Sequence, residues 1–171
     1  MERFQGRHIT GLLLCAAILA AAVPLAAQAP AVLTADELGK LVPPSFYFEG
    51  QLGPTQLRNA AGIRLAAQRH FIVALVDTSG YATNIRNKYE GFIICDDAVL
   101  IGGTELRSGA YGFGFTENQK LNIFDVGGKQ LLSVSAVKDE KLQSPRPLMI
   151  TQSGKELRLY RGKSFAVVAG K

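Results

Sequence analysis

The sequence predicts an all-β protein: an antiparallel β-sandwich of about eight to ten short strands with a short N-terminal helical turn. Short apolar or alternating segments recur at close intervals after residue 44, and no pattern of helical period and length lies between them. Several segments are joined by two residues that include glycine, such as Gly102-Gly103 and Gly127-Gly128, which is typical of antiparallel hairpins. A closed β-barrel is the alternative architecture that this pattern leaves open.

Residues 1–29 are predicted to be a signal peptide. Arg3 and Arg7 precede an apolar run at 11–23, and Ala27-Gln28-Ala29 supplies the small residues that a signal peptidase accepts. We therefore expect export to the periplasm or the extracellular space, with no transmembrane span once the segment is removed. An uncleaved membrane anchor is the alternative, although Pro24 ends the apolar run before the roughly 20 residues that spanning requires.

Residues 30–44 are expected to form a lead-in segment with one short helix. Thr34 and Glu37 have the spacing of a capping box, in which each side chain binds the backbone amide of the other residue. The prolines at 43–44 end this helix, because a residue before proline disfavours the helical conformation. A single β domain is expected to follow over residues 45–171.

This β domain contains a series of short predicted strands. Residues 71–76 form a continuous apolar run, which is typical of a central strand buried on both faces. Residues 81–89 form a long polar connection with room for one helical turn. The other predicted strands lie at 45–49, 62–65, 91–95, 98–101, 110–116, 120–126, 130–136, 148–152, 156–161 and 164–169.

One stretch of about 20 residues resembles a known structural corner. Residues 99–113 contain the pattern G-x-x-L-x-x-G-x-Y between two strands, with Leu106, Gly109 and Tyr111 at its defining positions. This resembles the corner of exported bacterial β-sandwich domains, among them the prealbumin-like modules and an uncharacterised family of secreted domains. The resemblance implies that Leu106 fills the core, Gly109 turns the chain and Tyr111 begins the next strand. It supports a fold and implies no activity.

The composition restricts the chemistry that the exported chain could perform. Removal of residues 1–29 leaves 17 Lys and Arg against 13 Asp and Glu, with one cysteine, Cys95, and one histidine, His70. An internal disulfide and a zinc site built from several Cys and His ligands are therefore excluded. Cys95 ends an apolar strand, as a buried thiol often does, whereas His70 begins a strand as a partly exposed side chain. We predict no catalytic residue, no metal site and no cofactor.

Three aspartates, Asp77, Asp96 and Asp97, are the remaining candidates for chemistry. Carboxylates brought together across the fold could act in acid–base hydrolysis or bind Ca²⁺. Their spacing matches no EF-hand calcium loop, and aspartate is common in turns for structural reasons. A carboxylate-dependent hydrolase is therefore the third of three functional hypotheses.

Two features indicate a binding surface. The period of two in residues 111–115 places aromatic rings on one face of a strand and two glycines on the other, where a ring, the second sheet or a ligand could approach the backbone. Residues 138–171 carry eight Lys and Arg against three Asp and Glu, a basic face that could attract anionic partners or simply keep an edge strand soluble. Two tyrosines bracket the 81–89 connection and could either gate a cleft or fix the loop to the core. The candidate binding residues are Tyr81, Tyr89, Gly112, Gly114, Arg158, Tyr160 and Arg161.

These observations favour a non-catalytic function. We expect an exported binding or accessory module of the bacterial cell envelope, with an envelope component or another exported protein as its partner. An anionic surface is a further candidate partner, strand addition at an exposed sheet edge is a candidate mode, and nucleic acid is not expected. The second hypothesis is a carrier of small apolar ligands, with a barrel interior lined by Phe and Tyr.

Overall fold

A computed structural model describes residues 29–66, 68–154 and 156–171. The predicted signal peptide, apart from Ala29, lies outside the described residues. These ranges contain two helices, α1 (Ala35–Leu41) and α2 (Thr83–Arg86), and fourteen strands. The strands are β1 (Ala31–Val32), β2 (Ser45–Phe48), β3 (Gln51–Ala66), β4 (Arg69–Val76), β5 (Gly91–Cys95), β6 (Val99–Ile101), β7 (Thr104–Leu106), β8 (Gly109–Thr116), β9 (Lys120–Phe124), β10 (Gln130–Ser135), β11 (Val137–Lys138), β12 (Met149–Ser153), β13 (Glu156–Arg161) and β14 (Ser164–Gly170).

The strands form two open antiparallel sheets. The first has the order β1-β3-β4-β5-β8-β9-β10 with β2 also paired to β3, and the second has the order β12-β13-β14-β6-β7 with β11 also paired to β14. The predicted all-β sandwich is confirmed, and the closed barrel is wrong for the described ranges. The strands outnumber the expected eight to ten, and β1, β7 and β11, which are pairings of only two or three residues, account for three of the additional strands.

The main hydrophobic core lies between the two sheets. Phe71 and Val73 of β4 pack in it with Leu159 of β13. The opposite face of β4 contributes Val76 to a second cluster, which includes the aromatic ring of Phe48 from β2. β4 is therefore buried on both faces, as its continuous apolar run predicted.

Both helices are short, and α1 is fixed by its cap. The Thr34 hydroxyl accepts a hydrogen bond from the Glu37 amide (3.4 Å), and the Glu37 carboxylate accepts one from the Thr34 amide (2.7 Å), which confirms the predicted capping box. Glu37 also pairs with Arg64 of β3, and Leu38 packs on Ile72, so α1 lies on the face of the first sheet that is turned away from the main core. No helix in the described part of the chain is long and apolar enough to cross a membrane.

β3, the longest strand, carries a large bulge. Thr55 pairs with Val76 and Ala60 pairs with Ala74, so five steps along β3 correspond to two steps along β4. The extra residues lie at 56–59, which we call the β3 bulge. A bulge of this kind bends the strand and turns its side chains away from the regular alternation of the sheet.

The β3 bulge lies on a part of the strand that has no second neighbour. On the side of β3 opposite β4, β2 pairs with residues 51–54 and β1 pairs with residues 63–64. No other described strand pairs with the stretch between them. The sequence predicted a strand only at 62–65, because Pro54 and the polar residues after it interrupt the alternating pattern.

Candidate functional site

The two tyrosines of the predicted binding surface are buried. Tyr89 is fully buried and stacks on Phe48 with ring centroids 4.0 Å apart, while the Tyr81 hydroxyl donates a hydrogen bond to the Gln51 carbonyl (3.2 Å). Burial raises the pKa of both phenols above the ordinary value for tyrosine. Both residues therefore fix the 81–89 connection, which includes the expected helical turn as α2, to the first sheet.

The glycine face of β8 is filled by the protein itself. A methyl group added at Gly112 would lie 2.7 Å from Cδ2 of Phe48 and closer still to Cε2, and one added at Gly114 would collide with the Lys88 carbonyl, whose carbon would be 2.9 Å away. Phe48 and the backbone before Tyr89 therefore occupy the space beside the two glycines. Of the approaches that the sequence left open, intramolecular packing is the one that the structure contains, and it leaves no room for a ligand at Gly112 or Gly114.

The two candidate arginines of β13 are paired with carboxylates. Arg158 contacts Glu156 of the same strand at 2.6 Å, and Arg161 contacts Glu90 at 3.0 Å. The second pair connects the two sheets, because Glu90 directly precedes β5 and also accepts a hydrogen bond from the Phe115 amide (2.8 Å). Local partners therefore neutralise much of the charge that made this strand a candidate anion-binding face.

Tyr160, the third candidate residue of β13, belongs to the interior. It is 3% exposed, and its ring centroid lies 5.1 Å from that of Phe165. Its hydroxyl donates a hydrogen bond to the Asp139 carboxylate (2.9 Å), and this bond lowers the pKa of Asp139. Tyr160 thus anchors the turn after β11 to the second sheet.

The three candidate aspartates are not gathered in one place. Asp77 lies at the end of β4 and accepts a hydrogen bond from the Ser79 amide (3.0 Å), whereas Asp96 and Asp97 lie beside the beginning of β4, where Asp96 contacts His70 Nδ1 at 3.4 Å. β4 has eight residues, so roughly 25 Å separates its two ends. In the residues that the structure describes, no group of three His, Cys, Asp or Glu side chains is arranged to hold a metal ion.

Cys95 is a buried thiol, as its position in the sequence predicted. It is 2% exposed, and its Sγ donates a hydrogen bond to the Arg107 carbonyl (3.0 Å). Burial raises the pKa of the thiol to about 11. The thiol is therefore protonated at neutral pH, and a protonated, enclosed thiol is a poor nucleophile.

A concave site lies elsewhere, at an open cleft of about 780 Å³. Three segments that are far apart in the sequence build it: residues 32–38 of β1 and α1, residues 56–61 of β3, and residues 146–150, which lead into β12. We call it the β3–β12 cleft. None of the seven residues predicted for binding lines it.

The β3 bulge gives the cleft its shape. The Gln56 side chain donates a hydrogen bond to the Val76 carbonyl (3.3 Å), and the Asn59 side chain donates one to the Gln56 side-chain carbonyl (2.8 Å). The first bond connects the bulge to β4, with which it no longer pairs directly, and the second holds the Gln56 side chain from within the bulge. Leu57, between them, is 50% exposed at the cleft.

The walls of the cleft are aliphatic. Leu38 of α1 and Leu148 and Ile150 around the start of β12 are buried at its base, and Met149 and Leu57 complete the apolar lining. No aromatic residue belongs to the described lining. This composition suits contact with flexible saturated groups, because such contacts depend on the apolar area removed from water.

Two arginines, Arg58 and Arg146, give the cleft a positive charge. Eight ion pairs join residues in the described ranges, and neither arginine takes part in any of them. No Asp or Glu belongs to the described lining of the cleft either. Both residues are exposed, so their guanidinium groups are accessible to an anionic group.

A smaller polar cleft of about 500 Å³ adjoins the first and shares Gln56 and Asn59 with it. Arg86, Glu90, Tyr89 and Arg161 contribute to its lining. It therefore brings together Tyr89 and Arg161 from the predicted set. The charge of Arg161 is balanced by Glu90, and Arg86 adds one positive charge to the lining.

The sequence contained indirect signals for the β3–β12 cleft. Pro54 interrupts a β pattern just before the bulge, and Pro145 and Pro147 flank Arg146. Proline is confined to edges, bulges and strand starts, so these positions mark irregular strands. They do not indicate that the two irregular segments meet.

The corner at residues 99–111 crosses between the sheets: β6 and β7 form a hairpin in the second sheet, and β8 begins in the first. Leu106 is buried, and β8 begins at Gly109 rather than at Tyr111. No family model matches the chain, and comparisons with curated proteins and with solved structures find no match either.

Proposed function

We propose that this protein is an exported, non-catalytic binding module of the cell envelope, and that it holds its ligand in the β3–β12 cleft. The observation that carries this proposal is an accessible apolar concavity of about 780 Å³, a size and lining that are common in ligand-binding sites. The signal-peptide pattern of residues 1–29 supports the envelope as the place of action.

The residue types of the cleft favour binding over catalysis. General acid–base catalysis needs a side chain that exchanges a proton near the working pH, and covalent catalysis needs an activated nucleophile. The described lining consists of aliphatic residues, two amides and two arginines. An amide can orient a ligand, and an arginine stays charged, so this set is suited to recognition.

A carrier of small ligands is the second candidate, and the same cleft favours it. The volume lies in the range of small-molecule sites, and the lining is concave rather than flat. The cleft differs from the expected barrel interior in being open and aliphatic. An accessory module would instead use the cleft to hold part of a larger envelope component.

Binding at the cleft can be tested with the apolar dye N-phenyl-1-naphthylamine, whose fluorescence rises in apolar sites. We expect saturable binding to the purified protein, with one site, and a loss of at least tenfold in affinity for the Leu57→Lys variant. Leu57 is half exposed, so the substitution should leave the fold intact. Leu131→Lys on β10 is the matched control, because Leu131 is 43% exposed and lies far from the cleft in the sheet order.

The same dye titration could refute the proposal. Equal dye affinity in the wild type, Leu57→Lys and Leu131→Lys would mean that the dye binds elsewhere. An absence of saturable binding to the folded wild type would remove the cleft as an apolar site.

A further inference from the structure

We propose that the ligand of the β3–β12 cleft is an anionic amphiphile: one flexible aliphatic chain that ends in a carboxylate. This inference rests on the proposed function, because it requires that the cleft binds a ligand. It follows from one juxtaposition: two guanidinium groups that have no carboxylate partner among the described residues lie at an aliphatic cleft without a described acidic residue.

The shape and chemistry of the cleft walls favour an aliphatic ligand chain. Leu57, Leu148, Met149 and Ile150 offer branched or flexible side chains and no ring on which a planar ligand could stack. The interior between the sheets is closed by the main core, so the ligand chain lies along the cleft. A single saturated chain can contact such walls along its whole length, whereas an aromatic dye gains only general apolar contact there.

The distribution of arginines favours a ligand with an anionic end group. Four of the arginines in the described ranges have carboxylate partners, namely Arg64, Arg69, Arg158 and Arg161. Two of the arginines without one, Arg58 and Arg146, come from different segments and meet at the same cleft. A guanidinium binds a carboxylate through two parallel N–H···O bonds, so these residues favour an anionic end group.

The same features favour a free amphiphile over the surface of a membrane. Adsorption to a bilayer uses a protruding apolar face together with several cations, each of which adds a small attraction. Here the apolar residues line a concavity, and two arginines accompany them. This arrangement is complementary to one molecule with one anionic group.

The experiment compares three amphiphiles that share a twelve-carbon chain and differ in charge. Dodecanoate, dodecan-1-ol and dodecyltrimethylammonium are titrated below their micellar concentrations at pH 8 against the bound dye. We expect dodecanoate to displace the dye at a concentration about tenfold lower than that of the cation, since each exposed charge pair changes affinity by a few-fold. The alcohol should fall between them.

Charge reversal supplies the decisive comparison. The double variant Arg58→Glu/Arg146→Glu should prefer the cation to dodecanoate, with each displacement measured against the variant's own affinity for the dye. Arg107→Glu is the matched control, because Arg107 is also exposed and outside the ion pairs but lies before β8, away from the cleft. It should keep the preference of the wild type. Thermal unfolding followed by circular dichroism verifies that each variant is folded.

The outcomes separate this inference from the proposed function. If Leu57→Lys weakens dye binding but the order of the three amphiphiles is unchanged by charge reversal, the cleft binds ligands and the anionic ligand class is wrong. If dodecanoate fails to displace the dye while vesicles of phosphatidylglycerol sediment the wild type but not the double variant, the cleft recognises a membrane surface and the inference is overturned. If Leu57→Lys has no effect, the proposed function itself fails.

Discussion

Substitution of Gly112 by alanine tests whether the glycine face of β8 serves packing. The added methyl group would lie 2.7 Å from Cδ2 of Phe48, well inside an ordinary carbon–carbon contact. Phe48 has no room to withdraw, because it is fully buried and its ring stacks on Tyr89 with an interplanar angle of 9°. The substitution must therefore displace two aromatic rings that are both enclosed.

The expected loss of stability follows from this geometry. An extra methylene group in a well-packed core costs typically 1–3 kcal/mol, and a site where two buried rings must move belongs at the upper end. We expect Gly112→Ala to lower the free energy of unfolding by about 3 kcal/mol. For a domain of this size, that loss corresponds to a decrease in Tm of roughly 10 °C.

The assay is urea unfolding of four variants at one pH. Gly39→Ala is the control: Gly39 lies within α1 with no atom within 4 Å of the added methyl group, so alanine should raise stability by about 0.5–1 kcal/mol. Phe48→Leu, alone and combined with Gly112→Ala, completes a double-mutant cycle. Because leucine occupies less of the space beside residue 112, the double variant should lose at least 1 kcal/mol less than the sum of the single variants.

Two results would refute this reasoning. A change within about 0.5 kcal/mol for Gly112→Ala would show that the ring of Phe48 has space that the structure does not contain. Strictly additive losses in the cycle would show that the methyl group acts on something other than Phe48. Either result would reopen the glycine face as a binding surface.

Three further outcomes follow from buried or capped groups. Because the pKa of Cys95 is raised to about 11, the unfolded chain releases its thiol proton at lower pH than the native protein does. Between pH 8.5 and 11, the free energy of unfolding of the wild type should therefore fall by about 2 kcal/mol more than that of Cys95→Ala. Urea titrations measure this difference, and parallel curves for the two proteins would contradict it. Thr34→Ala removes the cap of α1 and should lower the free energy of unfolding by about 1 kcal/mol in thermal unfolding, whereas Thr34→Ser should be close to the wild type. A Thr34→Ala variant as stable as the wild type would show that packing alone holds the helix. Glu90→Ala removes the carboxylate acceptor of Arg161 and of the Phe115 amide, so it should lower the free energy of unfolding by about 1–2 kcal/mol. Glu140→Ala removes an exposed ion-pair partner and should lower it by less than about 0.5 kcal/mol. Equal losses in chemical denaturation would refute the inter-sheet role of Glu90.

The fold class was accessible from the sequence because its signals are local. Alternation over a few residues, glycine turns such as Gly102-Gly103, and the capping box at Thr34 and Glu37 each depend on neighbours in the chain. The division of strands between the two sheets depends on contacts between distant segments. The crossing after β7, which carries the chain from the second sheet to the first, is an example.

The candidate site was not accessible in the same way. A glycine alternating with aromatics predicts a close approach at Gly112 but does not identify Phe48, more than sixty residues away, as the group that approaches. The cleft could not be predicted either, because Leu57 and Arg146 lie far apart in the sequence and line the same cleft only after folding. Exposed polar residues such as Arg58 carry no periodic signal that separates a binding role from a solvated one.

The position of β14 has a consequence for the order in which the protein is completed. β6 pairs with β14 on one side and with the short β7 on the other. More than sixty residues of chain separate β6 from β14. At a synthesis rate of about 5–20 residues per second, β6 waits several seconds for its principal partner. During that interval the edge of β6 that pairs with β14 has no partner, and Val99 and Ile101, both fully buried in the finished protein, lie in an incomplete second sheet. The second sheet of this topology can therefore be completed only after the last strand of the chain has been synthesised.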